Sequence, residues 1–134
     1  MKKLIAVLAL TFPLLAGTTS LFSKYEAARQ AFLKGSLADV QKNAAALAAD
    51  AREAKNDAVA TLADAVAKSA DLDAARTAFG KLSEELIKAR DTAGAAKPAV
   101  YHCPMVQKSW LQPKGEVGNP YDASMPTCGV LKAE

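Results

Sequence analysis

Residues 37–67 read LADVQKNAAALAADAREAKNDAVATLADAVA, and the apolar spacing within that stretch sets the expected fold. Leu37, Val40, Ala44, Leu47, Ala51, Ala54, Ala58, Leu62 and Val66 recur at threes and fours, the repeat of one helix face. Alanine, the best helix former, fills much of the remainder. A second stripe runs Leu72, Ala75, Phe79, Leu82, Leu86, Ala89, and no proline occurs between Pro13 and Pro98. Ser36 ahead of Asp39 and Asp71 ahead of Ala74 are placed as N-caps, without the Glu or Gln that would complete a capping box. Gly35 closes a first helix containing Phe22, Tyr25, Phe32 and Leu33. Asn56-Asp57 either breaks the second helical segment or is passed over, giving three or four helices. The expected fold class is therefore all-α: an antiparallel three- or four-helix bundle over 21–97, with an irregular Pro/Gly-rich tail, 98–134, packed on it as part of the same domain.

The inner faces are rich in alanine, which lets helices approach closely but buries little area per residue, so the core should be thin. Arg52, Glu53, Lys55, Glu84, Glu85 and Lys88 read as a solvated face, with Glu84 and Lys88 spaced for a weak i,i+4 pair. No paired-carboxylate site follows from them.

Upstream, Lys2 and Lys3 precede an apolar run from Leu4 to Leu15 and a small, polar stretch at 16–20. This is the pattern of a cleavable secretory signal, residues 1–20, with a mature start near Thr18 to Leu21. The run is too short to cross a bilayer, which takes ~20 apolar residues, so no membrane span is expected after processing. The chain carries 17 basic and 14 acidic residues; Lys2 and Lys3 leave with the signal and no acid does, leaving 15 against 14. The mature protein is nearly neutral. With no basic stripe interleaved with aromatics, nucleic acid is not an expected partner. The expected location is the bacterial periplasm.

Beyond Gly94 the composition changes. Pro98, Pro104, Pro113, Pro120 and Pro126 punctuate the chain, Gly115, Gly118 and Gly129 supply turns, and every His, Cys and Met outside the signal is here: His102, Cys103, Met105, Met125 and Cys128. Thiolate and thioether donors suit Cu(I), and by the same softness Ag(I), whereas Mg(II), Ca(II) and Mn(II) prefer oxygen. Residues 100–103 read as a short extended segment, and Pro104 keeps Cys103 out of the helical region. Extended geometry would turn Cys103 and Met105 to one side and His102 to the other. Met125 and Cys128 are three apart, a spacing that one turn of chain can close, so the two halves form a candidate site for one ion. Zn(II) is the weaker candidate: two Cys and one His leave it recruiting Asp122 or water, with the methionines unexplained. An adjacent Cys-His pair facing opposite sides makes a poor nucleophile–base dyad. Neither a phosphate-cradling Gly-rich loop nor a His-Glu-x-x-His is present, so no enzyme is expected.

Tyr101-His102-Cys103-Pro104-Met105, Trp110-Leu111, Asn119-Pro120-Tyr121 and Met125-x-x-Cys128-Gly129 resemble the signature of a bacterial periplasmic domain of unknown function. That domain is often fused to, or encoded near, adaptor subunits of copper/silver tripartite efflux pumps. The helical region, with Tyr25 early and Ala75-Arg76-x-x-Phe79-x-x-Leu82-Ser83 late, is similar as well, so the resemblance spans the mature chain. It implies a helical bundle whose C-terminal segment handles a soft metal in heavy-metal resistance. The sequence departs at Lys108-Ser109, where the family often has Gly-Ala, and at Asp122-Ala123, in place of an aromatic-Gly pair. Both departures fall in expected turns, away from the sulfurs. Two expectations of different class follow. The first is a Cu(I)- or Ag(I)-binding protein for sequestration or delivery to an efflux adaptor or another periplasmic copper protein, with ligands Cys103, Met105, Met125 and Cys128, and His102 as a lesser one. The other is a structural or interaction module of the envelope, in which a Cys103–Cys128 disulfide locks the tail. Trp110 and Tyr121 are read as packing groups pinning the tail to the bundle, and Asn119 as a turn residue before Pro120.

Overall fold

The computed structural model describes residues 14–134. Four helices follow in order, α1 (Leu14–Leu33), α2 (Leu37–Glu53), α3 (Asp57–Ala67) and α4 (Leu72–Ala89), then a 3-10 segment (Arg90–Ala96) and three strands, β1 (Ala99–Cys103), β2 (Lys108–Gln112) and β3 (Val130–Ala133). The all-α expectation is thus corrected: the fold is mixed, four helices packed with a three-stranded antiparallel sheet of order β2-β1-β3. The reason is visible in the tail. Pro98 and Pro104 bracket β1 and Pro113 follows β2, so the prolines that suggested irregular chain stand just outside the strands, where no ladder hydrogen bond is lost.

Asn56 resolves the helix count. It caps α3, its side-chain oxygen accepting from Val59 N at 3.2 Å, and Lys55 before it adopts positive φ, so the segment breaks there into two helices. The expected caps are made: Ser36 Oγ accepts from Asp39 N at 3.3 Å and Asp71 Oδ1 from Ala74 N at 2.8 Å. Gly35 ends α1 at φ 69°, a conformation glycine adopts without penalty. On the solvated side Lys88 pairs with Glu85 at 3.3 Å rather than with Glu84.

Each helix packs on the next, and α4 carries β2. Val40, Ala44, Leu47, Ala51, Val59, Ala63 and Val66 are fully buried between α2 and its neighbours, the alanine-rich contact the stripe predicts. Larger side chains gather where α1 and α4 meet the sheet. Tyr25 stacks on Phe79 with ring centroids 4.6 Å apart, and Phe32 tilts against the same ring at 4.9 Å.

The lysine-bearing start of the expected signal and most of its apolar run lie outside the described residues. Helix α1 runs unbroken through 16–20, and Leu21 and Phe22 are buried, so processing near Thr18 to Leu21 would trim the helix and keep these two core residues. No helix among the described residues is long and apolar enough to cross a membrane.

Candidate functional site

In the β1–β2 ladder Tyr101 faces Trp110, His102 faces Ser109 and Cys103 faces Lys108; on its other side β1 pairs with β3 through His102 and Val130. Cys103 therefore ends the central strand, and it is completely buried. Cys128 closes the turn leading into β3, its N–H donating to Met125 O at 3.1 Å. The fold brings the two cysteines together as a disulfide, with Cα atoms 5.3 Å apart and a sequence separation of 25. That Cα spacing is ordinary for a bridge.

The other sulfurs lie two and three residues from the bridge cysteines in sequence. Strand β1 ends at Cys103, so Met105 does not follow it on an extended chain as expected. Pro104 turns the backbone, Gln107 N donates back to Cys103 O at 2.9 Å with Gln107 at φ 54°, and Met105 rides the hairpin turn, 73% exposed. Met125 is partly buried and firmly held by its backbone. Its carbonyl accepts from Asn119 Nδ2 at 3.1 Å, and its N–H donates to Asp122 O at 3.1 Å. Strand alternation puts His102 on the face opposite Cys103, as expected, and its Nδ1 is 2.8 Å from Ser109 Oγ. Asp122, the oxygen donor considered for Zn(II), is engaged by the hydroxyl and the N–H of Ser124, which hold its carboxyl below the usual carboxylate range. Among the described residues no group of three or more His, Cys, Asp or Glu converges.

The connection 113–129 that frames the bridge is organised by groups that the sequence reading passed over or undervalued. Asn119 is buried and works in three directions: its N–H donates to Pro126 O at 2.8 Å, Nδ2 to Met125 O, and Oδ1 accepts from Tyr121 N at 2.9 Å. Gln112 Oε1 accepts from Trp110 Nε1 at 2.9 Å and Gly118 N at 3.1 Å. Three arginines from the helical part grip carbonyls of the tail. Arg29, buried and paired with Glu26, donates to Gly118 O at 2.7 Å; Arg76 donates to Pro120 O at 3.3 Å; Arg90 donates to Pro98 O at 3.0 Å and to Glu134 O at 2.5 Å. A signal for Arg29 existed, since it interrupts the stripe Phe22, Tyr25, Phe32 at a core position.

Trp110 and Tyr121 pin the tail as expected. Their rings meet edge-on at 6.0 Å, and a Cβ on Gly129 would come within 2.6 Å of the fully buried Trp110 ring, so only glycine fits beside Cys128. Tyr121 Oη lies 2.8 Å from Ser83 Oγ and 2.5 Å from Ser109 O, while Tyr25 Oη lies 2.6 Å from the same Ser83 and accepts from Leu111 N at 3.2 Å. Burial, foremost, pushes both phenols well above the ordinary tyrosine range.

Comparison with family models, with curated proteins and with solved structures finds no match. The functional reading therefore rests on the site's own chemistry.

Proposed function

We propose that the protein is a periplasmic soft-metal-binding protein. When the bridge is reduced, Cys103 and Cys128 supply two thiolates and Met105 and Met125 supply thioethers to Cu(I) or Ag(I), for sequestration or delivery to an efflux adaptor. The observation that carries this reading is the meeting of the two cysteines, one at the end of the central strand and one on the turn before β3, each with a methionine two or three residues away. Two thiolates held so close form a preorganised chelate for a soft monovalent ion, and a thioether is a donor that Cu(I) accepts and Zn(II) has little use for. His102 is the least suited of the proposed ligands, being on the far face and hydrogen-bonded to Ser109. The role is binding and transfer of an ion, without catalysis.

The test is the metal content of reduced protein purified after growth with added copper and, separately, added zinc. Copper near one equivalent from the first culture and little zinc from the second are expected. Zinc loading, or no metal from either culture, would contradict the reading.

A second reading, a metal-free structural or interaction module of the envelope, is favoured by the full burial of Cys103 within the bridge. Alkylation of thiols in protein taken straight from the periplasm separates the two. A metal thiolate site leaves a population with two reactive thiols once metal is stripped, whereas a permanent staple leaves none.

A further inference from the structure

We propose that the Cys103–Cys128 bridge is the substrate of a protein dithiol reductant, which docks on the apolar rim around the bridge and attacks the sulfur of Cys128. The inference deepens the proposed function, because it supplies the step that converts the bridged pair into thiolates. Three observations carry it. The cysteines differ in access: Cys103 is completely buried in the central strand, whereas Cys128 is partly exposed on the turn outside the sheet, after exposed Thr127. Exchange requires the incoming thiolate to reach a disulfide sulfur, and burial closes that route at Cys103. Among the described residues the exposed large hydrophobics are Leu33, Met105, Val130 and Leu131, and the last three lie within three residues of a bridge cysteine. Such a rim suits a protein partner better than a small polar thiol such as glutathione. Finally, β3, which carries Val130 and Leu131, is an edge strand, so its outer edge has no further strand laid against it.

The chemistry balances as a dithiol–disulfide exchange. A thiolate of the reductant forms a bond to Cys128 Sγ as the bond between Cys128 Sγ and Cys103 Sγ breaks, and the electron pair leaves on Cys103. The second thiol of the reductant then attacks its own sulfur in the mixed disulfide, expelling Cys128 thiolate. Two electrons pass from the reductant, which ends as a disulfide, and its two protons go to the released cysteines or to solvent.

The intermediate can be trapped with a Cys-x-x-Cys oxidoreductase whose second cysteine is replaced by serine, mixed with the wild-type protein without copper and quenched in acid. Peptide mapping should find the covalent link on Cys128. A link on Cys103, or no covalent complex, would overturn the proposal. Replacing Val130 and Leu131 together by serine should slow complex formation about tenfold, the loss expected for roughly one buried aliphatic side chain, while reduction by dithiothreitol keeps its rate. Equal slowing by both reductants, or no slowing with the oxidoreductase, would remove the docking rim. Because no copper is present, failure here is distinguishable from failure of chemically reduced protein to bind Cu(I).

Discussion

At the scale of single residues, the tail is held by polar groups whose loss leaves buried partners unsatisfied. Arg29 is the clearest case. Its guanidinium spans Glu26 on α1 and the Gly118 carbonyl, a fork that a lysine ammonium cannot reproduce. Arg29→Lys should cost about 1.5–3 kcal/mol, the worth of hydrogen bonds to a charged donor. Urea unfolding checks this; a change within experimental error would show that the Gly118 contact carries nothing. Tyr25 gives a pH signature. An unfolded tyrosine loses its proton near pH ~10, whereas burial keeps folded Tyr25 neutral to higher pH. Its contribution to stability is whole below about pH 10 and falls as the pH rises beyond that value. Tyr25→Phe discards the bonds to Ser83 and Leu111 but also that alkaline loss. The stability gap between wild type and variant should therefore narrow from pH 8 to pH 11; a constant gap would contradict the assignment.

At the scale of elements, legibility divides near Gly94. The helices could be read because their signals are local: caps at Ser36 and Asp71, a turn at Gly35, and apolar residues at one period. Only the Asn56-Asp57 break stayed open, since an asparagine cap and an exposed helical asparagine look alike until tertiary contacts choose. Of the sheet, only β1 could be seen. Strand β2 is five residues long and β3 four, too short for an alternation to stand out, and β3 pairs with β1 from 27 residues downstream of Cys103. Long-range pairing of this kind leaves no local trace. The same limit applies to the site: residue types named Cys103 and Cys128, and tertiary structure joined them, whereas Met105 was misplaced because the turn after Pro104 overrode the extended reading. The bridge closes a 25-residue loop, and in the chain-entropy account such a loop is worth about 3 kcal/mol. Replacing both cysteines by alanine should lower stability by about that amount with unchanged helical circular dichroism. Loss of the helical signal at room temperature would mean that the sheet staples the whole molecule.

At the scale of the molecule, helices and tail form one core. Ser83 on α4 receives Tyr25 from α1 and Tyr121 from the tail, and three arginines reach across to tail carbonyls. This frame holds the cysteine pair at a fixed place while leaving Met105 exposed on its turn, an arrangement that a staple alone does not require. The central claim is that the methionines belong to the site. Competition titration of reduced protein against a chromophoric Cu(I) chelator, wild type beside the Met105→Leu/Met125→Leu double variant, tests it directly. Leucine conserves volume, so the fold should change by less than ~1.5 kcal/mol. The account predicts weaker Cu(I) binding in the variant, with an unchanged thiol count and Zn(II) binding, if any, unaffected. Equal Cu(I) affinities would remove Met105 and Met125 from the site and leave Cys103 and Cys128 as a structural bridge.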